Sequence, residues 1–310
     1  MNAPRAQRGV ALLVALLAVA LGTILLAMLL DAGGVSLART RNVLRAEQAD
    51  AYATGLEDWA IDLLRRDAAS DPGVDTRGDL WARPLPPTPV PGGTISGTMR
   101  DLDGCFNLNS LDPEGVYGEL GFKRFERLLR AVGIDPVNAQ AARDWVDRDN
   151  DSGSRGAEDS AYLAHDPPYR VANRRYADAS ELRLVRGFDG DAWKRIAPHV
   201  CALPTSDSLI NVNTATLPVL MSLDERITEA VARRLAKDGG ARYPDATEFF
   251  RELAAIGIQV PEPDQRAVTA KSSWFVARAE IDLDGLPMAY ATMISRSERG
   301  FRIVSRNRAM

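Results

Sequence analysis

The chain has 310 residues, of which 45% are hydrophobic and 26% charged, with a formal net charge of −4, two cysteines and two histidines. That length can hold two small domains beyond a membrane anchor. The mild acidity argues against nucleic acid as the main partner and suits divalent cations and other proteins better, while two histidines leave little for zinc chemistry or a His-based triad.

The N-terminus carries Arg5 and Arg8 and no acid before Gly9, and no charge interrupts Val10 to Leu30. At about 1.5 Å per residue this run makes a helix of about 31 Å, enough to cross a bilayer core. The basic flank should stay cytoplasmic, which puts the bulk of the chain across the membrane. A cleaved secretory signal has a shorter apolar core than this one. Two readings remain, a plain signal-anchor and a prepilin-like leader. The short basic stretch ending in glycine resembles the type IV prepilin leader, which is cut after the glycine and methylated on the new N-terminus. The resemblance puts that cut between Gly9 and Val10, although Val14 stands where family members usually carry glutamate. Loss of 1–9 removes two arginines and no acid, taking the charge from −4 to −6.

Beyond the span (10–30), residues 31–70 read as the amphipathic half of the same helix. Tyr52, Leu56, Trp59, Ala60, Leu63 and Leu64 recur at helical steps, and Asp71-Pro72-Gly73 ends the pattern. Gly22 and the Gly33-Gly34 pair are candidate bend points. Residues 71–106 hold a proline-dominated stretch, Trp81 to Gly93, expected as an extended linker without ladder hydrogen bonds, and then a strand over Thr94–Arg100 turned by Asp103-Gly104. Residues 107–270 read as helical. Strands return only in 271–310, at Ser273–Leu283, Met288–Ser295 and Phe301–Val304. One strand before a helical block and three after it predict a small sheet packed on the N-terminal helix with a helical domain inserted into it.

The helical block contains an internal echo. Phe106-Asn-Leu-Asn-Ser110 and Ile210-Asn-Val-Asn-Thr214 each precede a helical segment, and the last Asn or the hydroxyl residue after it could cap that helix. Ala179–Gly187 looks like part of a helical hairpin of the DNA-binding kind, but its surroundings are rich in Asp rather than in phosphate-gripping glycines and bases. A structural helix pair is the better reading.

The densest acidic stretch runs from Asp144 to Asp159. With Asp147 as position 1, Asp149, Asp151 and Glu158 fall at positions 3, 5 and 12, the side-chain ligand positions of a calcium loop. A hard cation needs six to eight oxygens, and a tight loop turns every second side chain inward to supply them. The position-6 glycine is Ser152 here, so the stretch is calcium-loop-like and not an EF-hand. Asp159, Asp178 and Glu181 could complete the site or furnish a second one, for one or two calcium ions in all. A solvated acidic loop is the plain alternative, but five acids within about 13 residues repel unless something neutralises them. A magnesium-dependent hydrolase would need a base, nucleophile or phosphate-binding group nearby; no established motif supplies one, and no enzyme activity is expected. Cys105 and Cys201 would pair in an oxidising compartment and be buried thiols in the cytosol.

Taken together, the leader and span, the FNLNSL motif, the segment from Asp144 through Gly187, the NVNTAT motif and the terminal SSWFVARAEIDLDG resemble the type II secretion minor pseudopilin K family over nearly the whole chain. The resemblance implies an α+β, type IV pilin-like fold with a large α-helical insertion that binds calcium. It implies a single-pass Gram-negative inner-membrane protein with its C-terminal bulk in the periplasm. Other minor pseudopilins forming a tip complex, the major pseudopilin, prepilin peptidase and inner-membrane lipid are its expected partners, with no nucleic acid. Members of that family lack the fifth-position glutamate, so Val14 fits them. The alternatives are an anchored calcium-binding structural protein and an anchored helical-hairpin protein of DNA uptake.

Overall fold

A computed structural model describes residues 7–309. Most of the predicted leader, 1–6, therefore lies outside the described residues. The first element, α1 (Gln7–Ser70), is a single helix that continues through Gly22 and the Gly33-Gly34 pair, and it contains the Gly9–Val10 bond. Its first half is exposed from Val10 onward, and an 18-residue window there has a mean hydropathy of 2.9 with none of it buried, so it is long and apolar enough to cross a membrane. Its second half turns one face inward along Ala49, Ala53, Ala60 and Leu64. Three of these four are alanines, which let a packed layer approach the helix axis closely. Trp59 was expected on that face; it lies one position away from Ala60, about 100° around the helix, and stays 39% exposed.

After α1 come β1 (Leu85–Val90) and β2 (Gly93–Asp101). Here the structure corrects the linker expectation. The proline-rich stretch pairs antiparallel with β2 at Thr88↔Ile95 and Val90↔Gly93, and its register breaks between Leu85 and Thr88, where Pro86 and Pro87 sit. Proline has no N–H to donate, and such a strand survives because it needs a partner on one side only.

The insertion then folds as two similar units around one core. The first contains β3 (Phe106–Asn107), α2 (Gly118–Ala131), α3 (Asn138–Asp144), α4 (Asp159–Tyr162), α5 (Gly190–Ile196) and β4 (Val200–Cys201). The second contains β5 (Ile210–Asn211), α6 (Leu217–Ser222), α7 (Glu229–Ala236), α8 (Ala246–Ala255), α9 (Glu262–Gln265) and β6 (Val268–Thr269). Each unit is closed by a short parallel pairing of its first and last strands, β3 with β4 and β5 with β6.

The echo goes deeper than the entry motifs. The first Asn of each motif turns the chain: Asn107 Oδ1 accepts from Asn109 N at 3.1 Å, and Asn211 Oδ1 from Asn213 N at 2.9 Å. The last Asn, a candidate helix cap in the sequence, instead clamps a distant backbone. Asn109 accepts from Tyr176 N (2.7 Å) and donates to Tyr176 O (3.0 Å). Asn213 does the same to Tyr243, at 2.7 Å and 3.0 Å. Tyr176 and Tyr243 open matching segments, YADASEL and YPDATEF, whose aspartates cap the helices after them.

The chain returns to the sheet as β7 (Trp274–Leu283), β8 (Leu286–Ser297) and β9 (Gly300–Ala309), giving the order β1-β2-β7-β8-β9 with antiparallel neighbours throughout. The central pair β2–β7 runs in unbroken register from Gly93↔Leu283 to Asp101↔Phe275. Exit and return of the insertion are joined by Leu102 N donating to Trp274 O at 2.8 Å. The sheet packs on α1 through two apolar clusters, one around Ala53, Ile281 and Tyr290 and one around Leu64, Met99, Phe275 and Ile294. A bridge between Cys105 and Cys201 (Cα–Cα 5.9 Å) pins the start of the insertion to β4.

Candidate metal centre

The acidic loop begins at the C-terminus of α3. Asp144, the last residue of that helix, is fully buried and shapes the loop with both of its carboxylate oxygens. Oδ1 accepts from Gln140 Nε2, one turn back, at 2.7 Å, and Oδ2 accepts from Ala157 N at 2.8 Å. The second bond draws the far end of the loop onto the helix and sets Glu158 beside Asp147. Gly156 is required there, because a Cβ at that position would overlap the Asp144 carboxylate.

This closure gathers Asp147, Asp149 and Glu158, with one carboxylate oxygen from each lying within 4.8 Å of the others. Asp147 and Glu158 are 9% and 5% exposed. Among the described residues, Asp147 Oδ1 and both Glu158 oxygens are buried without a hydrogen-bond partner, and so is Asn173 Oδ1. Asn173 belongs to the same place, since its Nδ2 donates to Asp149 O and to Asn150 Oδ1, both at 2.8 Å. Burial first, and then the charges of Asp149 and Asp144, push the Asp147 carboxyl up to about 7. Burial, followed by Asp144 and Asp147, does the same to Glu158, also to about 7. Buried carboxylates are normally paired or hydrogen-bonded, and these are neither.

The orphaned oxygens fit a divalent cation. The donor set is all oxygen, which suits a hard ion, and a Glu with both oxygens free can bind bidentately as a flexible calcium site requires. The structure gathers three of the seven acids singled out in the sequence, Asp147, Asp149 and Glu158. Asp151 is exposed, and its backbone N–H turns the loop by donating to Asp149 Oδ1 at 2.8 Å. Asp159 is taken by Arg170 (3.2 Å) and Val171 N (3.1 Å). Asp178 is a helix cap, accepting from Ser180 N at 2.8 Å within a capping box completed by Glu181. Two residues of the site were missed. Asp144 had a signal in its spacing, three residues before Asp147 and four after Gln140. Asn173 had none, because only the fold brings it to the loop.

Residues 104–205 and 210–270 match the family described as "Type II secretion system (T2SS), protein K". The break between the two matches falls where the first structural unit ends and the second begins. A "Type II secretion system protein K" of Pectobacterium carotovorum subsp. carotovorum is 33% identical, over 97% of this chain and 96% of its own. The chain belongs to the type II secretion system protein K family. Protein K of Pseudomonas aeruginosa is also 33% identical, over 98% of this chain and 93% of its own. Among solved structures, the crystal structure of the GspK-GspI-GspJ complex of enterotoxigenic Escherichia coli aligns with a TM-score of 0.76 at 26% identity, over 88% of this chain and 99% of that one. The pilin-like architecture with a helical insertion is thus that of protein K.

Proposed function

We propose that the chain is a minor pseudopilin that occupies the tip of the periplasmic pseudopilus and helps to initiate or cap it during export of folded proteins. The observation that carries this reading is the position of the insertion. Arg45 and Gln48 of α1 reach Asp284 and Pro91 at the membrane-proximal end of the sheet. The insertion leaves from Leu102, at the other end, and would stand where an overlying subunit packs. Val14 supports the same reading, because it offers no carboxylate to the N-terminal amine of a subunit above.

In this role α1 holds the protein in the inner membrane and packs against the major pseudopilin, while the head joins other minor pseudopilins. Prepilin peptidase cuts after Gly9 and the new Val10 is methylated. Asp147, Asp149 and Glu158 hold a calcium ion, with Asn173 close by. The ion supplies positive charge to a buried acidic loop, and its role is structural rather than catalytic. Immunogold labelling of assembled pseudopili in the native host tests the reading. Label at one end of the filament is expected, and label along the shaft would overturn the tip assignment. A mature chain beginning at Val10, with one added methyl group, is expected by intact mass, whereas a chain beginning at Met1 would reduce the protein to a plain anchored one.

A further inference from the structure

On the sheet face turned away from α1, the inserted domain leans over the membrane-distal half and encloses a cleft of about 330 Å3. Arg100, Arg278, Met293 and Asn307 lie on its floor, and Ser180 and Trp193 on its wall. Arg100 faces Val276 across the β2–β7 pairing and Arg278 faces Thr98, so the two arginines are diagonal neighbours on one face. Diagonal neighbours of this kind stand about 7–8 Å apart, within reach of long side chains.

The two arginines differ from those on the opposite face. There Arg296 and Arg306 clasp the buried carboxylates of Asp75 and Glu57. Arg100 and Arg278 have no side-chain hydrogen bond or ion pair among the described residues. Burial, followed by the charge of Arg278, pulls the Arg100 guanidinium below its ordinary pKa. Asp101 opposes that shift, but its carboxylate is spent on Thr214, Ser272 and Asn211. Asp178, on the cleft wall, has its Oδ1 committed to capping Ser180. Both side chains are exposed to solvent on the cleft floor, and two adjacent unpaired cations there form a receptor for an anion.

We propose that this cleft binds an acidic peptide segment of a second protein, with a Glu or Asp carboxylate bridging Arg100 and Arg278 and its apolar neighbours resting on Met293 and Trp193. Charge complementarity argues for the carboxylate, and the thioether and indole argue for a peptide over a polyphosphate. Position argues against a lipid headgroup. Met99 and Phe275, the neighbours of Arg100 and Val276 in their strands, pack with Leu64 of α1, which lies roughly 50 Å of helix beyond Leu30 at about 1.5 Å per residue. Ser305 and Asn307 of the edge strand β9 also line the cleft, so a partner segment can enter from the free edge of the sheet. The proposal is independent of the calcium and tip assignments.

The test uses full-length protein in zwitterionic nanodiscs and a labelled hexapeptide of alternating Glu and Ala, with its Gln–Ala counterpart as control. Saturable binding with at least about a tenfold preference for the Glu peptide is expected. The double variant Arg100→Gln, Arg278→Gln is expected to weaken it by about tenfold or more, and Arg130→Gln, at an exposed position of α2, to leave it unchanged. Equal binding of the two peptides, no saturation, or equal loss in the Arg130 variant would overturn the proposal. Displacement of the Glu peptide by phosphatidylglycerol vesicles, dependent on the same two arginines, would overturn it in favour of a lipid. Should the double variant fail to fold, the wild-type protein decides: salt raised from about 0.05 to about 0.5 M should weaken the Glu peptide alone, and salt-independent binding would count against it.

Discussion

The carboxylate of Asp144 accepts a hydrogen bond from the backbone N–H of Ala157 at 2.8 Å, and this closes the acidic loop. It places Glu158, the next residue, against Asp147 without itself belonging to the three gathered carboxylates. Asn at this position keeps the shape but replaces one acceptor with a donor. Asp144→Asn should therefore weaken calcium binding by about 10- to 100-fold, the usual range for a residue that supports a ligand. Calcium titration by calorimetry measures this, and unchanged affinity would show that the loop closes without the bond.

Glu158→Gln should act in opposite directions with and without the ion. In ion-free protein it removes a buried charge set beside Asp147 and Asp149, so the unfolding midpoint at pH 8 should rise by a few degrees, the equivalent of about 1 kcal/mol. With calcium at about a hundred times its dissociation constant, the wild type should gain about 2.7 kcal/mol, and the variant should gain far less. Thermal unfolding in chelator and in calcium gives all four values. A variant stabilised by calcium as much as the wild type would remove Glu158 from the ligand set.

The carboxyls of Asp147 and Glu158 lie near 7 in the fold, against ordinary values of 3.8 and 4.5. They hold protons more tightly folded than unfolded. In ion-free protein their favourable contribution is therefore complete below about pH 4 and is lost as pH rises to about 7. A bound calcium ion would reverse the sense, since it would require the deprotonated pair. Calcium affinity should climb with pH up to about 7 and then level, with proton release on binding at pH 6. Calorimetry in two buffers of different ionisation enthalpy counts those protons, and a flat profile from pH 5 to 8 would contradict the assignment.

The bridge from Cys105 to Cys201 spans 96 residues. Closing a loop of that length stabilises by about 4–5 kcal/mol in the chain-entropy model. Cys105→Ala with Cys201→Ala should lower the urea midpoint accordingly, with the first repeat losing hydrogen-exchange protection. An unchanged midpoint would mean that the apolar cluster of Leu102 and Leu203 holds the junction alone.

Asn213→Ala would leave the backbone N–H and C=O of Tyr243 unmatched in the core. Each buried unsatisfied group costs about 1–3 kcal/mol, so a loss of about 3 kcal/mol or more is expected in urea unfolding. The same change at Asn109 should cost a similar amount, because it makes the same two bonds to Tyr176. Unequal losses would show that the two repeats have diverged in how they carry load.

The sequence by itself determined what depends on near neighbours in the chain. An uninterrupted apolar run fixes the spanning helix, alternation fixes β7 and β8, and the 1-3-5-12 spacing of acids marks the loop around Asp147. The paired FNLNS and INVNT motifs announced the duplication because matching local turns need the same turn-forming residue, the first Asn of each motif. Tertiary structure decided what depends on partners distant in the chain. The proline-rich β1 is a strand only because β2 offers it an edge, and no local preference of proline signals that. Asp178 and Asp159 have the composition of ligands, yet a helix N-terminus takes one and Arg170 with Val171 takes the other. Asn173 joins the loop, and Arg100 comes to lie beside Arg278, through contacts between residues far apart in sequence. A carboxylate's type and spacing are written in the chain, but whether it meets a proton donor, an arginine or an ion is set by which remote backbone and side-chain groups the fold packs against it.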